Sequence, residues 1–445
     1  MSNAMVWLGL YILTFNCARN PVDPNLLATH LFDALSTPDA AVSENFPEVL
    51  VLSLQEIAPL SHAFLGKSWL EPYYWPFRRA VDIAAGDGLY RNLLTRNVGM
   101  TAVMVFVRTD VADRVSWVET AEVGIGVQEA GNKGAVGARL GYLVERDGRE
   151  TVNLTFVAAH LAPDEFAVEK RNQDWTDISR RLVFTSMEDA GVQDVRQGRS
   201  RDAGQDEEDV PLLDSPTLSE ACMSALYAPN TYLFVAGDLN YRTSDKRPAP
   251  GDYLRFPRST DEVDSPRHWA NLLPNDQLTK ELKAHRTLQD LTEQPIDFAP
   301  TYKFLVGGTE QDEGWKWSKN RWPSWCDRIL YSNAPLGRTG DDDGHIKAHN
   351  YDALPLFPSS DHRPVALSLS VPLRAAPEPV LSAPEIPATC EIDPTWKSRR
   401  IAARRKELLA GIGAYAIFTW EGRVILATVG FSIFMSFFVY YRYLS

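Results

Sequence analysis

The chain is short of cysteine and of positive charge. Its four cysteines, Cys17, Cys222, Cys326 and Cys390, stand far apart in 445 residues and follow no signal-peptide pattern, so the sequence reads as that of a protein from a reducing compartment. Lys and Arg total 45 against 58 Asp and Glu, a net charge of -13. That balance argues against a nucleic-acid binder, because a phosphate backbone selects a basic surface, and leaves room only for a local basic pocket around a small anionic group. What is plentiful is core material: 44% hydrophobic residues with 12 Trp and 19 Phe. The length exceeds what one core usually organises, which implies one large catalytic domain, residues 5–371, plus an appendage.

Short apolar runs recur along that domain and most end in a polar group. Gly9 to Asn16, Glu48 to Glu56, Thr101 to Arg108, Val115 to Ile125, Ala135 to Val144, Thr151 to Ala159, Tyr232 to Asn240, Arg328 to Tyr331 and Arg363 to Val371 read as strands. Helices are predicted for Asp23 to Leu35, for Asp164 to Ala190 as a long surface helix carrying Arg171, Asn172 and Asp174, and near Asp276 to His285. Strands alternating with helices, together with strand-turn-strand pairs, predict an α/β fold: a two-sheet mixed β-sandwich flanked by helices. Residues 193–216 are acidic and poor in apolar side chains, and read as a disordered insert.

Beyond the domain, residues 372–398 begin with six prolines between Pro372 and Pro394 and read as a linker. Residues 399–445 then carry Arg399, Arg400, Arg404, Arg405 and Lys406 ahead of Val424 to Tyr441, a run without charge. That run is long enough to span a bilayer as a C-terminal transmembrane helix. The basic excess before it predicts a tail anchor with the catalytic domain in the cytosol. Its shortness suits the thin membrane of the endoplasmic reticulum.

The polar strand ends form one constellation: Asn16, Glu56, His160, the Asp238/Asn240 pair and the Asp361/His362 pair, with Asp327 behind. A phosphoester hydrolase needs a divalent cation, a group that activates water, and donors for the developing charge. Glu56 with Asn16 suits Mg²⁺, which takes few carboxylates and keeps several waters. Asp238 is placed to polarise the attacking water, Asn240 to donate to the phosphate, and His362, oriented by Asp327, to transfer a proton or stabilise charge.

Three stretches resemble the signatures of the inositol polyphosphate 5-phosphatases, a branch of the endonuclease/exonuclease/phosphatase superfamily: Val235-Ala-Gly-Asp-Leu-Asn-Tyr-Arg242, Pro323-Ser-Trp-Cys-Asp-Arg328 and Ser360-Asp-His-Arg-Pro-Val365. The resemblance runs from about Leu10 to Leu369. It implies Asn16 and Glu56 at Mg²⁺, His160 and His362 at the scissile 5-phosphate, and Asp238 and Asn240 at the water and phosphate. It further implies that Tyr302, Lys303, Lys319 and Arg321 grip the neighbouring 4-phosphate, and that Asn132 and Lys133 border the site. Ala162-Pro163-Asp164 departs from the family pattern and changes the rim. A tail-anchored member resembles the fungal type of the endoplasmic reticulum, acting on phosphatidylinositol 4,5-bisphosphate. Two alternatives remain at this stage: another phosphoesterase, such as a nuclease or sphingomyelinase, and a non-enzymatic membrane tether that binds phosphoinositide.

Overall fold

The computed structural model describes residues 6–35, 46–186, 222–307, 314–337, 345–374 and 391–444. The predicted acidic insert lies outside them, as do residues 375–390 of the proline-rich stretch. Two six-stranded sheets make the domain. The first comprises β1 (Trp7–Asn16), β2 (Val49–Gln55), β3 (Tyr90–Val98), β4 (Thr101–Arg108), β11 (Lys347–Ala353) and β12 (Val365–Pro372), in the order β11-β12-β1-β2-β4-β3. The second comprises β5 (Val115–Gly124), β6 (Gly134–Leu143), β7 (Thr151–His160), β8 (Thr185–Ser186), β9 (Thr231–Asp238) and β10 (Asp327–Tyr331), in the order β10-β9-β7-β6-β5-β8. Both sheets are mixed: β1 pairs β2 in parallel and β12 antiparallel, and β7 pairs β9 in parallel.

The central strands β1, β2, β4, β6, β7 and β9 read as continuous apolar runs because both of their faces are covered. Leu10, Ile12, Val49, Val51, Val103 and Val105 meet Phe156, Phe234 and Trp325 in the core between the sheets. Their sequence neighbours Tyr11, Leu13, Phe15, Leu50, Leu52 and Met104 face the other way, onto α1 (Pro24–His30) and α3 (Glu71–Ala85). Outside the second sheet a third core includes Trp175 and Ile178 of α4 (Val168–Arg181) and Leu278 of α5 (Gln277–Lys283).

The predicted surface helix is shorter than expected, and its polar residues face inward. Arg171, Asn172 and Asp174 are buried. Asp174 Oδ2 accepts the Ala162 N–H at 2.9 Å, and Arg171 donates to Gln277 Oε1 at 2.6 Å. These charges fasten the chain just after β7, so burial follows from specific partners that composition does not show. Strands β3 and β11 and helices α2 (Leu60–Leu65) and α3 were not foreseen, since their polar residues blur any period.

The C-terminal segment also differs from its reading as a free basic flank. Residues Trp396–Phe418 form a 23-residue helix, α6, packed on the domain. Arg399 Nε donates to Glu129 Oε1 at 2.8 Å, Arg400 Nε to Glu122 Oε1 at 2.7 Å, and Arg404 Nη1 to the Phe64 carbonyl at 2.7 Å. Three of the arginines counted toward a membrane surface thus engage the protein. The flanks of residues 375–390 are fastened too: Leu373 N–H donates to Val6 O at 2.8 Å, and Asp393 N–H to Arg180 O at 2.9 Å. Thr419 alone separates α6 from α7 (Trp420–Leu444), whose segment Trp420–Tyr443 is apolar and long enough to cross a membrane.

Candidate active site

Strand register builds the centre of the site. β7 runs parallel to β9 and β10 antiparallel to it, so His160 pairs with Asp238 and Asp238 with Asp327. Three polar residues therefore stand side by side at one sheet end, one per strand, about 4.8 Å apart. Lys133 immediately precedes Gly134, which pairs with His160, and its ammonium contacts His160 Nε2. From the facing sheet, Asn16 ends β1 opposite Gln55, and Glu56 follows. Asn16 Nδ2 donates to Asp238 Oδ2 at 2.9 Å, joining the two sheets at this point. Glu56 and Asn240 both adopt left-handed backbone angles, φ 45° and 59°, a strain that concentrates where function fixes a side chain.

Asp361 and His362 enter from the loop before β12. His362 Nδ1 lies 2.8 Å from Asp327 Oδ2, and Thr301 Oγ1 donates to the same oxygen at 2.7 Å. Ser360 Oγ donates to the Asn16 carbonyl at 2.6 Å and accepts the His362 N–H at 3.0 Å, which ties the two loops together. Asp238 Oδ2 and Asp361 Oδ1 stand 4.0 and 3.9 Å from His362 Nε2.

Burial alone would lower the His362 imidazole, but Asp327, its hydrogen bond, Asp238 and Asp361 outweigh it and raise the pKa to about 9. His362 is an imidazolium at neutral pH. Asp238 is held well below the carboxylate range: burial opposes this, and His160, His362 and Lys133 overcome it. His160 goes the other way, lowered by burial and by the Lys133 ammonium. With the Lys133 ammonium against its ring, His160 is neutral, and Lys133 and His362 hold the Asp238 charge. Burial raises the Asp327 carboxyl against the pull of His362, yet with three carboxylates around one imidazole the proton rests on His362.

Asn240 stays local: its Nδ2 donates to Leu161 O at 3.2 Å and its Oδ1 accepts from Arg242. Tyr302 packs on His362 with ring centroids 4.6 Å apart, and Lys303 Nζ lies 2.7 Å from Asp361 Oδ2. Arg321 is brought to the rim but clamped, with Nη2 2.8 Å from Asp164 Oδ1 and Nη1 2.9 Å from Glu165 Oε2. Arg247 also binds Asp164, at 2.9 Å. Lys319 lies apart and exposed, its Nζ 4.4 Å from the centre of the Tyr253 ring. The Asn132 side chain sits against Gly126, where an added Cβ would overlap its Oδ1.

One strong candidate escaped sequence reasoning. Arg242 is buried, stacks its guanidinium 4.3 Å from the centre of the Tyr302 ring, and leaves Nη1 without a partner among the described residues. It closes the Gly-Asp-Leu-Asn-Tyr-Arg motif, and an Arg at the end of a buried motif was the available signal.

A hard divalent cation takes oxygen donors with lone pairs to spare. Among the described residues, Asn16 Oδ1 accepts only the Ala18 N–H, at 3.0 Å, and the Glu56 carboxylate is engaged only by Arg19, 3.2 Å from its Oε2. The two sit at the ends of adjacent parallel strands, and this donor set fits such an ion. Asp238, Asp327 and His362 also converge, with ligand atoms within 4.8 Å of one another, and there His362 Nδ1 is taken up by Asp327 Oδ2 at 2.8 Å.

Fold and site together define a protein of the endonuclease/exonuclease/phosphatase fold, with its polar strand ends gathered at one edge of the sandwich. The pattern of the Endonuclease/Exonuclease/phosphatase family 2 matches residues 13–368, and the chain belongs to that family. It is 33% identical over 345 residues to the type II inositol polyphosphate 5-phosphatase 15 of Arabidopsis thaliana, covering 75% of this chain and 28% of that protein. It is 28% identical over 327 residues to the polyphosphatidylinositol phosphatase INP53 of Saccharomyces cerevisiae, covering 73% and 24%. The chain thus spans about a quarter of the length of these relatives. Among solved structures, the inositol polyphosphate 5-phosphatase domain of SPsynaptojanin, in complex with inositol (1,4)-bisphosphate and calcium ion, shares the fold. Its TM-score is 0.56 at 23% identity, over 82% of this chain and 85% of that one.

Proposed function

We propose that the chain is a Mg²⁺-dependent phosphoinositide 5-phosphatase. It removes the 5-phosphate of phosphatidylinositol 4,5-bisphosphate to leave the 4-phosphate lipid, at the cytosolic face of the endoplasmic reticulum membrane, where α7 is its tail anchor. The observation that carries this reading is the row His160, Asp238 and Asp327 with His362 closing it, supported by the relatives' named activity. Asp238 accepts a hydrogen bond from the attacking water. Because its carboxyl is held so low, it orients that water rather than storing its proton. The water oxygen bonds to phosphorus and the bond from phosphorus to the C5 ester oxygen breaks; of the two water protons, one stays on the released phosphate and the other ends on the freed C5 oxygen as its hydroxyl. The His362 imidazolium, Lys133 and Arg242 are the cations available to the phosphate oxygens. Asn16 and Glu56 would hold Mg²⁺, which supplies further neutralisation of phosphoryl charge.

The decisive experiment is phosphate release by the full chain in micelles from the 4,5-bisphosphate lipid, the 3,4,5-trisphosphate lipid and soluble inositol 1,4,5-trisphosphate. Chelator is expected to abolish release and Mg²⁺ to restore it, with Glu56→Gln raising the Mg²⁺ requirement at least about tenfold. No release from any of the three substrates removes the phosphatase reading. Lipid binding without turnover would then favour the tether, and hydrolysis of abasic DNA a nuclease.

The rim gives a second expectation. Asp164 competes with a substrate phosphate for Arg321 and Arg247. Asp164→Ala is expected to lower KM for headgroups bearing a 4-phosphate by about threefold to tenfold at unchanged kcat, on the order of 1 kcal/mol. An unchanged ratio between substrates with and without that phosphate would show that Arg321 does not read it.

A further inference from the structure

The active-site turn before β6 is held on one side by the domain and on the other by the C-terminal helix. Gly131 O accepts the Met100 N–H at 3.0 Å, and Met100 O accepts the Ile57 N–H at 3.3 Å, next to Glu56. Gly99 and Gly131 approach so closely that a Cβ on Gly99 (φ 49°) would stand 2.2 Å from Gly131 O. Neither position tolerates a side chain. The other face of the Gly131 peptide is met by α6: its N–H donates to Glu407 Oε1 at 2.9 Å. Glu407 has no solvent exposure. Arg400 Nη1 donates to its Oε1 at 2.7 Å and Arg404 Nη1 to its Oε2 at 3.2 Å.

A buried carboxylate with two guanidiniums is a costly way to glue a helix to a domain, since apolar residues of similar volume do so at least as well. What the polar cluster adds is direction: one charge-assisted hydrogen bond onto one particular peptide. Two residues beyond that peptide is Lys133, whose ammonium touches His160. Helix α6 lies outside residues 13–368 that match the family, so the contact belongs to this chain's own C-terminal extension.

We propose that Glu407 is a positioning residue of the active site, fixing the Gly131-Asn132-Lys133 turn so that Lys133 and Glu56 meet the substrate phosphate and its metal in register. The inference rests on the 5-phosphatase reaction proposed above. Glu407 touches neither substrate nor metal and acts through the backbone.

The test uses the full chain in detergent micelles with soluble inositol 1,4,5-trisphosphate, for which membrane recruitment plays no part. Glu407→Met is expected to lower kcat about tenfold with KM within twofold, the split that marks lost alignment in the transition state. It should also speed amide hydrogen exchange in residues 126–134. Glu407→Gln keeps a neutral acceptor and should fall between, about threefold down; it carries the test alone should Glu407→Met not fold. Arg399→Ala cuts another contact of α6 with the domain, the pair with Glu129, and should leave kcat at the wild-type level. Glu407 variants that turn over and exchange like wild type overturn the proposal, and so does Arg399→Ala producing the same kcat loss as Glu407→Met. A wild-type chain that releases no phosphate refutes the reaction instead, and exchange in residues 126–134 then decides the contact by itself.

Discussion

Asp238→Asn is expected to lower kcat by about 10³ while the protein stays folded. Asp238 is where both sheets and both histidines meet. Its Oδ2 accepts from Asn16 Nδ2 at 2.9 Å and lies 3.1 Å from His160 Nε2, and its Oδ1 accepts the Asn240 N–H at 3.1 Å. Asn keeps the volume but takes away the charge that Lys133 and His362 are arranged around. It also sets an amide donor against Asn16 Nδ2 or the Asn240 N–H, both already aimed at that side chain. Stopped assays of phosphate release against thermal unfolding separate the two effects. A variant retaining more than a tenth of wild-type turnover would move the water-orienting role away from Asp238.

Asp327→Asn should cost about 10² in kcat at neutral pH and displace the alkaline limb of the pH profile. Asp327 is the nearest of the three carboxylates that raise His362 to about 9. In the wild type the imidazolium persists through neutral pH, so turnover is expected to hold to about pH 8 and fall near 9. Without the Asp327 charge the fall should begin one to two units lower, by the order of a single charge-assisted contact. Stability follows the same sign. A folded-state pKa above the unfolded 6.5 stabilises the fold fully below pH 6.5 and loses that contribution as pH rises through 9, on the order of 3 kcal/mol. The melting temperature of the wild type should therefore drop between pH 7 and 9.5, and that of Asp327→Asn should drop less. An alkaline limb that stays in place would show that His362 does not act as a cation.

Much of this site was legible before any fold was known. Strands ending in Asn16, Glu56, His160 and Asp238 were marked by apolar runs that stop abruptly, and runs of that kind are what a sheet buried on both faces requires. What sequence could not supply was register. That His160, Asp238 and Asp327 form one row depends on two strand pairings, and in the ladder of β9 and β10 the paired residues are 89 to 97 positions apart. The inward turn of Arg171, Asn172 and Asp174 was hidden because their partners lie elsewhere, Ala162 in the loop after β7 and Gln277 and Glu281 on α5. Arg321 shows a third limit. Its charge was evident, but its clamping by Asp164 and Glu165 was not, since those residues precede it by more than 150 positions.

The single residue between α6 and α7 bears on where such an enzyme finds its substrate. Thr419 is extended, with φ -97° and ψ 154°, and Gly422 presses against the Tyr415 carbonyl, where an added Cβ would stand 2.2 Å from the oxygen. Residues 375–390 do not set the distance between anchor and domain, because α6 follows them and is itself docked. With α7 as the proposed span, the docked α6 leaves Thr419 as the joint between domain and membrane. Under the proposed lipid activity, so short a joint keeps the domain beside the membrane that holds α7 and away from an apposed bilayer.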